Sequence, residues 1–583
     1  MRRTVLGTVL AATALIWGIG TVAPVSAQTL TAQTEAPNGV AGPYLGAVSA
    51  ELTGDIAAAA RLYDRAATGD PDNIDLRRRA LWQLVLAGEV DTARPHADYL
   101  LRQGVDDQAV GLIVIAEEIR AGAFPRTAER LVAGNGLLDP LLSGMIAGWA
   151  LSVDDIDAAA ATFEGIQGPD ALRRVAVFHS VLARAVSGDM EGAATRLEAL
   201  EGDDLFTDAR SIIAIAEIWA ATGRQGAALA LLDEAESRGF PPGILQDVRS
   251  RIGSGTVPGL TVIENATEGA AEALYTMAQF LVLRRESRQF PLFLARLTLH
   301  LAPDHDEARL LLSGILSGTG QYALAMDVLS EIAPTSPQFI RAETNRAGAL
   351  QNAGRAEEAI GVLTALSRAH PESLTASLAL ADALRREERW VEASDAYSAA
   401  IDLVETIERN SWVLFFRRGI AYERSDRWPA AEADFRRALE LNPDEPNVLN
   451  YLGYSLVELG RNYEEAEQMI RTAVEREPQS GYIVDSLAWV LYRMGRFEEA
   501  VEPMERAVAL VPFDPILNDH LGDILWMVGR KTEAQFQWKR ALSFEPQEEE
   551  IPRIRRKLAV GLDTVLEEEA AEPSPQAATE EAE

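Results

Sequence analysis

The sequence predicts an all-α fold, an α-solenoid of stacked helix–turn–helix units that wind into a superhelix. Three observations support this. Turn-forming and small residues recur at a spacing of 34, apolar residues follow a helical period between them, and 583 residues exceed what one hydrophobic core organises. The prolines show the spacing most plainly, at Pro303, Pro337 and Pro371 and again at Pro478, Pro512 and Pro546.

Glycines and alanines repeat in phase with the prolines. Glycine tolerates the positive φ found just past a helix end, so each glycine is predicted to close the first helix of a unit. Proline cannot donate a hydrogen bond to a continuing helix, so each proline is predicted to end the second helix. The alanines lie in the second helix, where small side chains let the two helices approach. Examples of the spacing are Gly54, Gly88 and Gly122, and Ala325, Ala359 and Ala393.

The unit between Gly481 and Pro512 shows which helix faces are buried. Apolar residues stand at i, i+3, i+4 and i+7 of its first helix, which places them on one stripe. A single helix pair cannot bury such stripes, so neighbouring units must stack on one another. The stripe of the first helix is Val484, Leu487, Ala488 and Leu491, and that of the second is Ala500, Met504 and Ala507.

A 34-residue helix–turn–helix repeat of this kind resembles the tetratricopeptide-repeat family. The residues that carry the resemblance are Leu487-Ala488, Leu491, Ala500, Ala507 and Pro512, then Leu521-Gly522, Ala534, Ala541 and Pro546, with a looser match at Tyr44, Ala59, Tyr63, Ala66 and Pro71. The resemblance implies a superhelix that binds proteins or peptides in its concave groove and needs no cofactor.

The C-terminal half resembles a narrower group, the large periplasmic tetratricopeptide proteins of proteobacteria. One branch of that group is an outer-membrane lipoprotein adaptor that delivers cell-wall hydrolases to a carboxyl-terminal processing protease. The resemblance implies an envelope protease as a partner. It rests on Asn450-Tyr451-Leu452-Gly453-Tyr454, Asp485-Ser486-Leu487-Ala488-Trp489 and His520-Leu521-Gly522-Asp523.

The first segments of the chain are predicted to serve export. Residues 1–27 read as a Sec-type signal peptide, because Arg2 and Arg3 precede an apolar stretch that ends in the small-residue site Val25-Ser26-Ala27. The chain is therefore expected in the periplasm, and at a membrane only if this segment is retained. Residues 28–43 are predicted to be a flexible leader.

The remaining segments follow the repeat. We predict an N-terminal array of six units over 44–239 and a C-terminal array of eight units over 267–546. Between them, residues 240–266 contain two Pro/Gly-rich stretches and are predicted to be a linker that acts as a hinge. Residues 547–566 are predicted to form a capping helix, and residues 567–583 an acidic disordered tail.

Composition excludes several classes of function. The net charge of −34 repels phosphate backbones, so nucleic acid is not an expected partner. The chain has no cysteine, which excludes disulfides, thiolate chemistry and a lipid anchor. The six histidines show no metal-binding spacing, and neither a serine-hydrolase nor a phosphate-loop motif occurs. We therefore predict no catalytic residues, no metal, no cofactor and no enzyme activity.

The candidate partner-binding residues lie on the first helices of the last three full units, beside the packing stripe. Two interpretations stay open: these side chains fill gaps between units, or they line a peptide groove in which aromatic rings supply contact area and carboxylates or amides bind the peptide. The residues are Asn450 and Tyr454, then Asp485, Trp489 and Tyr492, then Asp519, Asp523 and Trp526.

These observations predict a non-catalytic scaffold or adaptor of the cell envelope that presents client proteins to an envelope protease or cell-wall enzyme. The alternative is a structural component of an envelope export or assembly complex, which uses its convex face or acidic tail. The two predict different partners: soluble clients held in the groove, or membrane-bound subunits whose binding survives changes to the groove.

Overall fold

The computed structural model describes residues 39–133, 137–200, 208–240, 242–256, 259–284, 288–404 and 406–571. In these ranges the chain forms 31 α-helices and no strand, so the predicted all-α fold is confirmed. The predicted signal peptide, residues 28–38 of the leader and residues 572–583 of the tail lie outside the described residues. None of the described helices combines the length and apolar character needed to cross a bilayer.

The first array consists of six antiparallel helix pairs followed by one further helix. Its helices are α1 (Ala41–Thr53), α2 (Ile56–Gly69), α3 (Ile74–Ala87), α4 (Val90–Arg102), α5 (Gln108–Arg120), α6 (Phe124–Val132), α7 (Pro140–Leu151), α8 (Ile156–Glu164), α9 (Asp170–Val186), α10 (Met190–Glu198), α11 (Ala209–Ala221), α12 (Gln225–Ser237) and α13 (Pro242–Gly253).

The second array consists of eight pairs and two terminal helices. Its helices are α14 (Ala266–Arg284), α15 (Gln289–Leu301), α16 (Asp306–Ser317), α17 (Tyr322–Ser330), α18 (Phe339–Asn352), α19 (Ala356–Ala369), α20 (Leu374–Arg386), α21 (Trp390–Asp402), α22 (Trp412–Arg424), α23 (Trp428–Leu441), α24 (Pro446–Glu458), α25 (Tyr463–Arg476), α26 (Gly481–Arg493), α27 (Phe497–Leu510), α28 (Pro515–Met527), α29 (Lys531–Ser543), α30 (Ile551–Val560) and α31 (Leu562–Ala571).

The helix ends follow the predicted chemistry. Gly54 closes α1 with φ +78°, and its backbone N–H is donated to carbonyls of the last turn. The Asp55 side chain then accepts the N–H of Ala58 at 2.9 Å, which caps α2. At the other end of the molecule Asp514 caps α28, with Pro515 in the first helical turn. Turn chemistry therefore fixes where the helices begin and end.

The first helix of each pair lies on the inside of the curvature. Successive first helices touch, as α16 does α18 and α26 does α28, whereas successive second helices lack comparable contact. The crowded side of a curved stack is its concave side. We call the first helices the inner helices and the second helices the outer helices.

The two arrays interlock. Inner helix α14 packs on α7 and α9, and α15 packs on α3 and α5, so the first pair of the second array fills the groove of the first. One buried apolar cluster runs from Ala47 through the first array and α14–α16 to Val328. The Nε2 amide of Gln321 also donates to the carbonyl oxygen of Gly54, so the start of the second array contacts the first pair of the chain.

The segment 240–266, predicted to be a linker and hinge, differs from that expectation. Its first half forms α13, whose Leu245, Val248 and Ile252 pack against α11 and α12. Its second half is pinned by the buried Glu217 carboxylate, which accepts the N–H of Thr261 at 2.9 Å and its hydroxyl at 2.7 Å. Proline and glycine interrupt the repeat here, but they do not leave the segment unpacked.

The C-terminal end also contains more helix than predicted. The expected single capping helix over 547–566 is two helices, α30 and α31, which turn at Gly561 with φ +88°. Residues 567–571, which we assigned to the acidic tail, belong to α31. Arg553 pairs with Glu569 at 2.7 Å, which holds the two helices antiparallel and extends the cap beyond its predicted end.

Candidate functional site

The inner helices of the second array are joined by a ladder of polar contacts. A carboxylate or amide on one inner helix accepts from a donor on the next, so most of the groove's acidic groups already have a partner within the chain. The pairs are Gln351–Arg386 at 2.8 Å, Asp382–Arg417 at 2.8 Å, Glu423–Tyr451 at 3.1 Å, Glu458–Trp489 at 2.7 Å and Asp485–His520 at 2.9 Å.

The C-terminal end of the groove is closed by a buried ion cluster. The Lys557 ammonium, on α30, is fully buried and donates to Asp519 at 2.6 Å and to Asp523 at 2.7 Å, both on α28. The Trp538 indole N–H donates to the same Asp523 oxygen at 2.9 Å. Burial raises the pKa of the Asp519 carboxyl, and the neighbouring Lys557 ammonium opposes that rise. The two predicted aspartates thus bind the chain's own terminal helix.

Three stacked rings lie beside this cluster. Trp489 stacks on Tyr492 with 4.8 Å between ring centroids, and on the His520 imidazole with 4.0 Å. Both faces of the indole are therefore covered, and its N–H is donated to Glu458. Burial, together with the nearby Asp523 carboxylate, raises the pKa of the Tyr492 hydroxyl. This stack fills the space between inner helices α26 and α28.

The eight predicted residues divide by accessibility. Asp485, Trp489, Asp519 and Asp523 are buried and contact side chains of the chain itself, although the Oδ1 atom of Asp519 has no hydrogen-bond partner there. Trp526 is half-buried; its N–H is donated to Asp563 of α31, and its ring packs against Gly561. The three half-buried residues that remain are Asn450, Tyr454 and Tyr492. The gap-filling interpretation accounts for the contacts of the buried members, and a role of any of the eight in partner binding stays a prediction.

Sequence reasoning missed the partners of these residues. Lys557 stands in a stretch of four cations on the predicted capping helix, Arg553, Arg555, Arg556 and Lys557. The signal that could have distinguished it is its i+3 spacing from the apolar Ile554, which places both on the buried face of α30. No local sequence pattern indicates the role of His520, because it stacks on a ring of the preceding inner helix, one repeat earlier in the chain.

The groove of the first array is closed in a different way. Trp82 of α3 stacks on Phe293 of α15 with ring centroids 4.8 Å apart. The Arg296 guanidinium donates to the carbonyl oxygen of Leu86 at 3.1 Å, at the C-terminal end of α3. On the next inner helix Glu117 pairs with His300 at 2.7 Å. The first array therefore uses its concave face to hold its own chain.

One group among the described residues brings together side chains of the kind that bind metals. It consists of Asp91, Glu117 and His300. Two guanidinium groups already contact its carboxylates: Arg120 lies 2.9 Å from Asp91 and Arg94 lies 3.1 Å from Glu117. Because these cations balance the charge that a metal ion would neutralise, we assign no metal to this group.

Comparison with known proteins identifies the repeat. The tetratricopeptide-repeat family model matches residues 344–406, 416–481, 452–515 and 486–542. A TPR repeat-containing protein of Pseudomonas aeruginosa is 30% identical over 110 residues, which is 19% of this chain and 18% of that protein. The chain thus matches less than a fifth of that relative's length.

Two solved tetratricopeptide structures are similar to parts of this chain. A tetratricopeptide repeat protein from Parabacteroides merdae is 20% identical, and the match covers 44% of this chain and 98% of that one with a TM-score of 0.36. YrrB, described as a TPR protein with an unusual peptide-binding site, is 19% identical over 34% of this chain and 94% of its own, with a TM-score of 0.26. Repeats of this family build extended concave surfaces for binding other proteins. The chain therefore contains tetratricopeptide repeats over residues 344–406 and 416–542, and stacked repeats of this kind serve as protein-interaction scaffolds.

Proposed function

We propose that this chain is a non-catalytic adaptor of the cell envelope, which holds client proteins or peptides in the concave groove of its second array. The observation that carries the proposal is the uneven use of the concave face. The chain's own helices cover inner helices α3, α5, α7, α9 and α28, whereas inner helices α18, α20, α22 and α24 keep exposed or half-buried side chains. Examples are Asn345, Arg386, Ile420 and Tyr454.

The envelope location rests on the sequence of residues 1–27, which has the charge, apolar stretch and cleavage site of an export signal. The narrower resemblance supplies the candidate enzyme, an envelope protease or a cell-wall enzyme that receives the clients. Among the predicted partner-binding residues, we expect the half-buried Asn450, Tyr454 and Tyr492 to meet a client first. The absence of any catalytic motif favours a binding role over turnover.

Site-specific photocrosslinking in living cells tests this function. A photoreactive residue replaces Tyr454 in the full-length chain. A matched variant carries it in place of Phe536, which is 61% exposed on outer helix α29. We expect Tyr454 to capture soluble envelope proteins, a protease or cell-wall hydrolases among them, that Phe536 does not. Equal capture of membrane-bound export subunits at both positions would favour the structural-component alternative. A Tyr454 variant that captures nothing would contradict the groove.

A further inference from the structure

An exposed aromatic surface lies at the turns between the last units of the second array. We call it the aromatic edge: Tyr482 at the start of α26, Phe513 between α27 and α28, and Phe544 at the end of α29. Phe513 is 74% exposed and Tyr482 is 48% exposed, and Phe536 is the one other aromatic side chain among the described residues that is exposed rather than half-buried or buried. A single exposed apolar side chain is ordinary, whereas a contiguous exposed patch is typical of a surface that binds a partner.

Direct contacts join the three residues of the aromatic edge. Phe513 meets the Phe544 ring edge-on, with 5.5 Å between the ring centroids. The Tyr482 hydroxyl donates to the carboxylate of Asp514, the residue after Phe513, at 3.3 Å. The same carboxylate accepts two backbone N–H groups of the first turn of α28, at 2.8 Å and 3.0 Å. The turn that caps α28 therefore fixes Phe513 in its exposed position.

The loop that follows Phe544 adds carboxylates that have no cation within the chain. None of them forms an ion pair with any residue that the structure describes. By contrast, Glu568 and Glu569 of α31 each pair with an arginine of α30. The carboxylates of the loop are Glu545, Glu548 and Glu549, which are exposed, and Glu550, which is half-buried. Their charge is therefore available to a cation from another molecule.

The cations nearest to the aromatic edge are fewer, and two of them are directed at the chain's own backbone. Arg540 donates at 3.0 Å to the carbonyl oxygen of the proline in the preceding turn, and its guanidinium lies 5.6 Å from the centroid of the Phe544 ring. Arg506, one unit earlier, makes the equivalent backbone contact. Lys539 is exposed. The four carboxylates of the loop and Asp514 outnumber these three cations, so the aromatic edge is acidic.

This end of the molecule already binds a cation between an aromatic ring and carboxylates. The Lys557 ammonium lies 5.5 Å from the centroid of the Trp538 ring and contacts Asp519 and Asp523. The face of an aromatic ring attracts a cation, and the planar guanidinium of arginine stacks on such a face. The aromatic edge offers the same two kinds of group, with most of the Phe513 ring exposed to solvent.

We infer that the aromatic edge binds an arginine-rich segment of a partner protein, whose guanidinium groups stack on Phe513 and Tyr482 and pair with the carboxylates of the loop 545–550. The surface lies on α26–α29, beyond the open inner helices α18–α24, so the inference goes beyond the proposed function and does not depend on it. Charge disfavours two other occupants. A nucleic acid carries the same sign of charge, and a second copy brings the same acidic surface on a chain with a net charge of −34.

Defined peptides test the inference on the full-length chain. The first probe is a fluorescent 15-residue peptide with five arginines, and the second carries glutamine in their place. We expect the glutamine peptide to bind at least tenfold more weakly. Because so acidic a chain attracts any cationic peptide, variants decide the site: Phe513→Ala and Glu545→Gln should each weaken binding of the arginine peptide at least threefold. The controls, Phe536→Ala and Glu498→Gln, change an equally exposed ring and an exposed carboxylate outside the aromatic edge and should bind like the parent.

A benzophenone at the centre of the arginine peptide locates the site by crosslinking and mass spectrometry. We expect attachment at residues 511–516 and 544–550; attachment confined to other residues, or control variants that lose as much affinity as Phe513→Ala, would overturn the inference. Equal binding of the glutamine peptide would indicate an apolar occupant, and self-association of the parent that Phe513→Ala abolishes would indicate a second copy, and either result also overturns it. Circular dichroism of each variant checks that the helices are retained. Capture of clients at Tyr454 tests the groove separately.

Discussion

At the scale of single residues, a buried ion cluster holds the C-terminal helices in place. Lys557 has no exposed surface. Its ammonium contacts two carboxylates and lies 5.5 Å from the centroid of the Trp538 ring. A buried ion pair contributes little net stability compared with apolar packing, but removing one partner strands the other charge. The cluster therefore fixes where α30 sits more than it strengthens the fold.

We expect Lys557→Met to destabilise the C-terminal end by up to about 3–5 kcal/mol, because the buried Asp519 and Asp523 would lose their nearest cation and keep only Arg553, which lies 3.4 Å from Asp523. The triple variant Lys557→Met/Asp519→Asn/Asp523→Asn should recover much of this loss, since it removes all three charges together. Urea unfolding followed by tryptophan fluorescence measures both, because Trp526 and Trp538 lie beside the cluster. Equal midpoints for the parent and Lys557→Met would contradict the prediction.

His179 provides a pH-dependent contribution at the same scale. Its Nδ1 accepts the indole N–H of Trp149 at 3.0 Å, so the folded state needs the neutral ring. Burial lowers the pKa of His179 from 6.5 to about 4. Between pH 6.5 and pH 4 the unfolded chain therefore binds a proton at this histidine that the folded chain does not bind. This contribution is complete above pH 6.5 and is lost as the pH falls towards 4, at a cost of about 3 kcal/mol.

We expect His179→Gln to flatten the dependence of unfolding midpoint on pH between 6.5 and 4.5, because glutamine can still accept from Trp149 but does not titrate in this window. His370→Gln serves as the control, since His370 is only half-buried and lies 3.7 Å from Glu372. Denaturant titrations at several pH values measure the slope. A slope in His179→Gln as steep as that of the parent would count against the mechanism.

At the scale of helix pairs, the same residue type performs two different tasks. A Cβ at Gly419 would lie 2.6 Å from the Phe435 ring, so this glycine allows inner helix α22 to approach outer helix α23. A Cβ at Gly348 would meet no atom within 4 Å, although Gly348 also lies inside a helix. Each glycine lowers the stability of the folded chain by about 0.5–1 kcal/mol relative to alanine, because glycine loses more backbone entropy on folding. Only at Gly419 does close helix packing offset this loss.

We expect Gly419→Ala to destabilise the chain by about 1–3 kcal/mol through overpacking, and Gly348→Ala to stabilise it by about 0.5–1 kcal/mol. The two variants carry the same chemical change in equivalent inner helices, so each controls for the other. Thermal unfolding measures the signs. Destabilisation of similar size in both would mean that helix propensity and space do not decide the outcome.

Turn chemistry made the helix pairs predictable from the sequence, and long-range packing limited how far the prediction could go. Gly54 and Asp514 identify helix ends because their local conformations require those residue types. The roles of Trp489 and Asp519 are different, since these side chains contact His520 and Lys557, which lie 31 and 38 positions further along the chain. The period of the repeat shows which face they occupy, but not whether a client or the chain itself covers that face.

At the scale of the whole molecule, the sequence period conceals the way in which the arrays interlock. The pair α14–α15 ends before Pro303, in phase with Pro337 and Pro371, although Pro291 stands where the alanine spacing would place an alanine. These positions do not mark it as the pair that enters the first array. Its contacts do: Trp149 reaches the backbone of Gly269 so closely that a Cβ there would lie 2.2 Å from the indole ring. Residues on both sides of the predicted linker therefore share one core.

This shared core predicts that the arrays do not bend at 240–266. Because the chain has no cysteine, Glu191→Cys on α10 and Ala323→Cys on α17 would carry the only two spin labels. Both sites are exposed. We expect double electron–electron resonance to give a single narrow distribution of distances between the two labels, since α14 and α15 are held by Trp82, Glu117 and Leu86. Trp82→Ala combined with Arg296→Ala removes two of these contacts and should broaden the distribution. A broad or two-peaked distribution in the otherwise unaltered labelled chain would instead restore the hinge, with the pinned contacts of Glu217 too weak to prevent motion.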